Sequence, residues 1–413
     1  MVGNEVAPAQ WFINKSLGYR TVGNQVNMDY TRHTIWYKIR KALRYVRLYG
    51  LGRTVSKIRA QYHMRNAGQP KDLAHSTVPA RKTQVVGILG CGNFAYSTIA
   101  YYLCKCRGEV IRGCMDIHKS RAVSLAHRYS AHYGTDSAQR VIDDPQIQLL
   151  YIASNHASHA EYAISALQAG KAVHIEKPPV VNHDQLRRLC NAIRQNNGLV
   201  RMGFNRPLSP FARKLNSALR QQNSLSVINW FVAGHELPEN HWYFSESEGG
   251  RILGNLCHWT DFTLRMVSRN RRYPIRLIPG RGSASDSNLA LVSVFADGSV
   301  SSITFSAMGH TFEGVRERLS VHCGDVIAYM DDFHSMTIYE KEKTSRFRLI
   351  NRNHGHKESI VGTFDCTIPN PCVEKFASIA DVWETSDYFL GAKTALETGR
   401  EVTIDEYSES VLK

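Results

Sequence analysis

Between residues 33 and 49 apolar side chains return every three or four positions. Ile35, Trp36, Ile39, Leu43 and Val46 share one side of a helix, while Lys38, Lys41, Arg44 and Arg47 occupy the rest. This spacing predicts a basic amphipathic helix, ended by Gly50 and Gly52. A shorter periodic run around Val55, Ile58 and Tyr62 follows, and then a linker-like stretch from Asn66 to Pro79. At Gln84 the rhythm changes. Residues 84–89 form a short apolar run that stops at Gly90, and residues 109–115 form a second that stops at Asp116. Residues 149–153 and 172–175 supply two more, with helical stretches starting at Tyr96 and ending near Leu167 between them. Short apolar runs alternating with helices predict an α/β fold whose parallel strands are buried on both faces. Beyond residue 225 the runs 226–232, 289–295 and 301–306 read as further strands, with turns such as Ala296-Asp297-Gly298 between them.

Composition narrows the class. A chain of 413 residues exceeds one ordinary domain of about 100–200 residues, and 43% apolar against 21% charged residues excludes a disordered chain. No apolar run approaches the length of a membrane span, and the first twenty residues hold no signal-peptide core. Nine cysteines, odd in number and scattered, form neither a disulfide framework nor a metal site, so no metal is expected and a reducing cytoplasm is. The net charge of +15 is concentrated: residues 1–80 hold 13 Lys and Arg against Glu5, Asp29 and Asp72. The basic segment 30–65 therefore reads as a docking element. It would pack on a neighbouring domain or subunit, or lie on the anionic inner face of a membrane; no known motif accompanies the charge to indicate nucleic acid.

The first two apolar runs of the α/β region bracket a specific chemistry. Gly90 permits a tight turn out of a strand, Gly92 lets backbone approach a pyrophosphate, and small Ala95 lets the following helix pack close to the sheet. With Asn93 and Phe94 this is a Rossmann dinucleotide turn, in which the free N–H groups of a helix N-terminus face the phosphates. Asp116, ending the second strand, can accept hydrogen bonds from the adenosine ribose and would repel a 2′-phosphate. NAD is thus expected over NADP, with Lys119 and Arg121 tempering the preference. Polar residues at the ends of the next strands, Ser154, His156 and His159, then Glu176 and Lys177, would line the same crevice, with Lys177 as its cation.

These motifs resemble the glucose-fructose oxidoreductase, inositol dehydrogenase and rhizopine catabolism (Gfo/Idh/MocA) family of NAD(P)-dependent sugar oxidoreductases. The resemblance covers about residues 83–405. It is carried by VGILGCGNFA (86–95), Asp116, AGKAVHIEKP (169–178), GFNRPLSP (203–210) and GGRILGNLCHWTD (249–261); HELPENHW (235–242) adds a likeness to the polysaccharide and nucleotide-sugar branch. It implies a basic extension and linker (1–80), a Rossmann domain (81–205) and a substrate-binding domain (206–413). The last would be built on an open, mainly antiparallel sheet that usually forms an oligomer face. By the same resemblance Lys177 polarises the reacting oxygen and His258 takes the hydroxyl proton, while His156 and His159 contact the nicotinamide ribose. Asn205, Arg206, His241 and Trp242 contact substrate. The implied reaction is hydride transfer between a secondary hydroxyl of a sugar, such as a nucleotide sugar, and nicotinamide. A sugar lyase, hydrolase or isomerase with a transient redox cycle, or a catalytically weak scaffold subunit, are the alternatives. The last is motivated by Gly254 and Asn255, which stand where relatives carry an acidic residue before the histidine. Segment 30–65 is expected to be dispensable for NAD binding.

Overall fold

The valines, isoleucines and leucines of the first four apolar runs pair into one sheet in the computed structural model, which describes residues 33–66, 81–238, 240–281, 287–309 and 312–412. Two helices come first, α1 (Ile35–Tyr49) and α2 (Leu51–Asn66), joined at Gly50, whose φ of 80° lies in the left-handed region glycine favours. The parallel sheet then forms from β1 (Val86–Leu89), β2 (Ile111–Met115), β3 (Tyr133–Thr135), β4 (Leu149–Ile152), β5 (Ala172–Ile175) and β6 (Val200–Met202), in the order β3-β2-β1-β4-β5-β6. Its connecting helices are α3 (Ala100–Arg107), entered through a π-helical turn at Ala95–Ile99, then α4 (Lys119–Arg128), α5 (Ala138–Ile142), α6 (His156–Gln168) and α7 (His183–Gln195). This strand order reverses between β1 and β4, and ligands of doubly wound sheets sit above that switch point. Strands β1, β4 and β5 are buried along their whole length, so they lack the alternation of a sheet with one wet face.

After α8 (Pro210–Leu219) comes β7 (Ser226–His235), then α9 (Cys257–Met266), and a run of strands: β8 (Ile275–Arg281), β9 (Asn288–Val294), β10 (Val300–Gly309), β11 (Arg316–Cys323), β12 (Val326–Asp331), β13 (Ser335–Glu340) and β14 (Lys343–Arg348). With β15 (Val402–Ile404) they form a nine-stranded sheet that is antiparallel except where β7 and β10 run parallel. Strict alternation in β7, from buried Ile228, Trp230 and Val232 to exposed Val227 and Phe231, gives this sheet one packed and one open face. The chain then turns back. Two late helices, α10 (His356–Thr367) and α11 (Ile379–Thr398), pack their apolar sides on the first sheet's layer, through Ile360 and Phe364 and through Val382, Trp383, Phe389 and Leu390 respectively. Residues far beyond 206 thus help to bury the parallel sheet.

The N-terminal hairpin does not pack its apolar stripe on a neighbouring domain of the same chain. Its helix α1 exposes the apolar stripe instead of burying it, with Trp36 73%, Leu43 64% and Ile35 63% accessible. The side that carries cations and tyrosines does the packing. Lys41 Nζ donates to the Phe312 carbonyl at 2.7 Å, Arg44 pairs with Glu313, and the backbone N–H of Arg352 donates to Leu48 O at 2.8 Å. Helix α2 is seated more deeply, with Ala60 in the core beside Ile99 and Leu103. Hydrogen bonds to main-chain carbonyls and salt bridges to fixed loops made this face the inner one, and hydrophobic periodicity does not report them.

Candidate active site

The turn after β1 is arranged as its glycines predict. Gly90 adopts φ +90°, and a Cβ there would meet the Ser154 nitrogen at 2.5 Å and the Ala153 carbonyl at 2.6 Å, so only glycine lets β1 leave the sheet beside β4. A Cβ on Gly92 would have nothing within 4 Å: the cradle above the helix N-terminus is open. Asn93 and Phe94 are partly exposed around it, while Ala95 is fully buried under the helix. Asp116 closes the far end. Its two carboxylate oxygens accept from Cys91 N and His118 N, both at 2.9 Å, which fixes the carboxylate at the end of β2. An open cradle at a helix N-terminus, with an acid fixed at the end of the next strand, fits a dinucleotide: the first-turn N–H groups would hold its phosphates and Asp116 its ribose.

At the ends of β4 and β5 the side chains are tied to the segment between β7 and α9. Glu248, buried in the loop before α9, accepts from Asn155 Nδ2 at 2.6 Å and from Ala157 N at 3.3 Å, placing its charge at the N-terminus of α6. His156 Nδ1 lies 2.9 Å from Glu248 O, and its ring meets Trp242 edge to face. His159 sits one turn later with its ring nitrogens facing the carbonyls of Pro178 and Ser154, at 2.8 and 3.2 Å. Burial, followed by the charge of Lys177, lowers the His156 pKa to about 2, and burial lowers that of His159. Ser154 accepts a hydrogen bond from Ser158, and Glu176 turns back onto His174 Nε2 at 3.2 Å.

Lys177 reaches the segment between β7 and α9. Its Nζ donates to Gly254 O at 2.7 Å, in the π-helical turn Ile252–Leu256 that leads into α9, and His258 stands one helical turn further on. His258 is buried, and its Nδ1 has no hydrogen-bond partner among the described residues. Burial, then the charges of Arg206 and Lys177, hold its pKa well below 6.5, so the imidazole is neutral. The structure also explains Gly254: a Cβ there would fall 2.5 Å from the Tyr243 ring, so the aromatic side chain fills the space an acidic one would need.

Four further positions singled out in the sequence divide in two. Asn205 donates to His354 O at 2.7 Å, and Arg206 forms a two-pronged pair with Glu317 at 2.6 and 2.7 Å, which Trp259 Nε1 joins at 2.8 Å. Burial would raise the Glu317 carboxyl, but Arg206 and His354 outweigh it and hold it well below the usual range. The Arg206 guanidinium is therefore already matched by a carboxylate and lines the site as part of an ion pair. His241 and Trp242 lie on a short loop; His241 Nδ1 accepts from Tyr243 N, and Trp242 remains 45% exposed with its face against His156.

Arg206 and His258 open onto a cavity of about 270 Å³ whose walls include Tyr45, Tyr49, His354 and Glu317. Two of these walls lay outside the sequence reading. The segment Arg352-Asn353-His354-Gly355-His356 brings two histidines to it, and its polar density ahead of α10 was the available signal. Helix α1 roofs it with Lys41, Tyr45 and Tyr49, and Tyr49 accepts from Arg352 at 3.0 Å. The segment expected to be dispensable for NAD binding and to serve docking thus also lines this cavity.

Comparison with known proteins bears on the Rossmann segment and on the fold. Residues 85–204 match the model of an oxidoreductase family described by its NAD-binding Rossmann fold. An oxidoreductase of Formosa agariphila is 30% identical over 145 residues, 35% of this chain and 44% of that protein. A dTDP-3,4-didehydro-2,6-dideoxy-alpha-D-glucose 3-reductase of Saccharopolyspora spinosa is 30% identical over 127 residues, 30% of this chain and 37% of that protein. The matched stretch spans less than half the length of either relative. Among solved structures, levoglucosan dehydrogenase with NADH and levoglucosan aligns at a TM-score of 0.65 and 16% identity, over 77% of this chain and 98% of that one. A UDP-N-acetylglucosamine 3-dehydrogenase from Acidithiobacillus ferrooxidans aligns at 0.62 and 16%, over 76% and 97%. These two likenesses extend the shared fold across both sheets.

Proposed function

We propose that the protein, whose residues 85–204 match the NAD-binding Rossmann model of the Gfo/Idh/MocA oxidoreductase family, transfers hydride between a secondary hydroxyl of a sugar and NAD. The observation that carries the reading is the convergence of Lys177 and His258. The lysine from the first domain bonds the turn that presents the histidine of the second, and the histidine keeps an unpaired nitrogen. When bound, NAD supplies the acceptor for hydride from the sugar carbon. The protein's groups do the rest. Lys177 donates a hydrogen bond to the reacting oxygen, and neutral His258 takes the hydroxyl proton as the carbonyl forms. Asp116 favours NAD over NADP.

The substrate class is refined by the cavity. At about 270 Å³ it is slightly smaller than the roughly 300–1,000 Å³ of sites that enclose drug-sized ligands, which suits one sugar ring. The finer reading is a nucleotide sugar, whose sugar ring this cavity would take. The open face of the nine-stranded sheet, where Val227, Ile327 and Tyr339 lie in one exposed row, is assigned to contact with a second copy of the chain. The exposed stripe of α1 is assigned to docking on a partner subunit or an anionic membrane.

A panel of sugars and nucleotide sugars tests the reaction, with NADH absorbance and product mass read together. Net NADH with an oxidised product is expected. Product without net NADH would instead indicate a closed redox cycle, and no turnover of any substrate would overturn the assignment. Lys177→Met and His258→Asn should each lower kcat by about 10²–10⁴-fold, the usual worth of positioned proton transfer. A loss confined to KM would refute their roles.

A further inference from the structure

Helix α2 lies along the turn that the dinucleotide phosphates would occupy. His63 Nε2 is 2.7 Å from Cys91 O and its ring stacks on Tyr96. Ser56 donates to Ser97 O. Arg53 binds Ser97 O and, at 3.1 Å, Thr98 Oγ1, and lies over the Tyr102 ring. These contacts fix the helix in register with the segment 91–98. Between them Lys57, partly buried, directs its Nζ to Asn93 Oδ1 at 3.4 Å, directly after the open cradle of Gly92.

Three observations show that this ammonium lacks its counter-charge. Among the described residues no carboxylate lies within salt-bridge reach of it. Its one hydrogen bond is long and goes to a neutral amide. Burial, followed by repulsion from another cation, Arg53, lowers its pKa to about 7. A cation held in such a place is unfavourable unless an anion joins it. Arg53 is held toward the helix by its bonds to Ser97 O and Thr98 Oγ1, which leaves Lys57 as the cation beside Asn93. The neighbouring feature built to receive an anion is the helix N-terminus at Asn93–Ala95.

We infer that Lys57, supplied by the N-terminal hairpin, is a cofactor-binding residue whose ammonium pairs with the pyrophosphate of the dinucleotide. The inference rests on the dinucleotide reading of the turn and gives the N-terminal segment a place inside the active site. It replaces the expectation that this segment is dispensable for NAD binding.

The test uses the full chain with Lys57→Met and Lys57→Arg, titrated calorimetrically with NADH, ADP and adenosine at low and high salt. Loss of one charge-assisted bond should weaken NADH and ADP by roughly 10- to 100-fold in Lys57→Met. Adenosine, which has no phosphate, should be unaffected. The arginine variant should stay within about threefold of the parent, and the salt dependence of NADH binding should flatten in the methionine variant. A second readout separates this role from a structural one. Removing an uncompensated cation should raise the thermal midpoint of the ligand-free protein while reducing the upward shift that NADH produces. Parent-like NADH affinity in Lys57→Met, or equal weakening of adenosine, overturns the inference and leaves the dinucleotide site standing. Failure of the parent to bind NADH and NADPH overturns both.

Discussion

Replacing Gly92 with alanine separates folding from cofactor binding. The added methyl meets no atom within 4 Å, and the residue's φ lies outside the left-handed region, so the free protein has no reason to change. A Gly→Ala exchange at a compatible backbone position stabilises by about 0.4–1 kcal/mol through the unfolded chain. The thermal midpoint should therefore stay constant or rise by up to about 4 °C. Binding should respond in the opposite sense. The methyl projects into the cradle above the helix N-terminus, where phosphate oxygens must approach the first-turn N–H groups. Loss of even one such charge-assisted bond costs about 1.5–3 kcal/mol, or roughly 10- to 150-fold in Kd. Calorimetric titration with NAD and NADH, alongside differential scanning calorimetry, reads both quantities. Gly90→Ala is the contrasting variant: its Cβ would press on the Ala153–Ser154 backbone in a strained conformation, so it should lower the midpoint itself. A folded Gly92→Ala protein that binds NAD as tightly as the parent would refute the placement of the phosphates over this turn.

Acid should destabilise the protein in a defined window. The pKa values of His156, His258 and His356 lie below their ordinary 6.5 in the folded state, chiefly through burial. Below about pH 6.5 the unfolded chain therefore gains protons that the native state refuses. The stability present in full above that pH should fall by about 1.4 kcal/mol per pH unit for each histidine. Urea midpoints that stay level from pH 7.5 to 5.5 would contradict this. Glu317→Gln leaves Arg206 buried without its partner and should cost about 3–5 kcal/mol, seen as a lowered urea midpoint; an unchanged midpoint would show the pair to be dispensable. The double variant Trp36→Asp, Leu43→Asp should abolish docking through α1. Its effect is read by co-sedimentation with phosphatidylserine vesicles and by mass from light scattering, and if neither measurement changes, the stripe has no docking role.

The parallel sheet was legible because its evidence is local. Strands buried on both faces need continuous apolar runs, and a turn where any Cβ would fall 2.6 Å from the Ala153 carbonyl needs Gly90. Asp116 at a strand end and Lys177 beside a proline could be placed along the same line of reasoning, since parallel strands bring their carboxyl ends to one edge. The strands β7, β9 and β10 were readable from alternation, whereas the parallel pairing of β7 with β10 joins residues more than seventy positions apart and has no local signature. The fate of individual polar side chains was equally non-local. Arg206 in the sequence is a cation free to meet a substrate; in the structure Glu317, from a distant strand, already neutralises it. Gly254 reads as a missing acid until the Tyr243 ring is seen in its place. The same limit applies to the hairpin. Periodicity identified α1 as amphipathic, because period depends only on neighbouring residues. Which side would face inward depended on carbonyls and carboxylates at Phe312, Glu313 and Arg352, some 270 positions or more away. Helical propensity and apolar spacing act over a few residues, while charge pairing and hydrogen bonding select partners by proximity in space, so only the folded chain could bring Lys57 to the phosphate turn and α1 over His258.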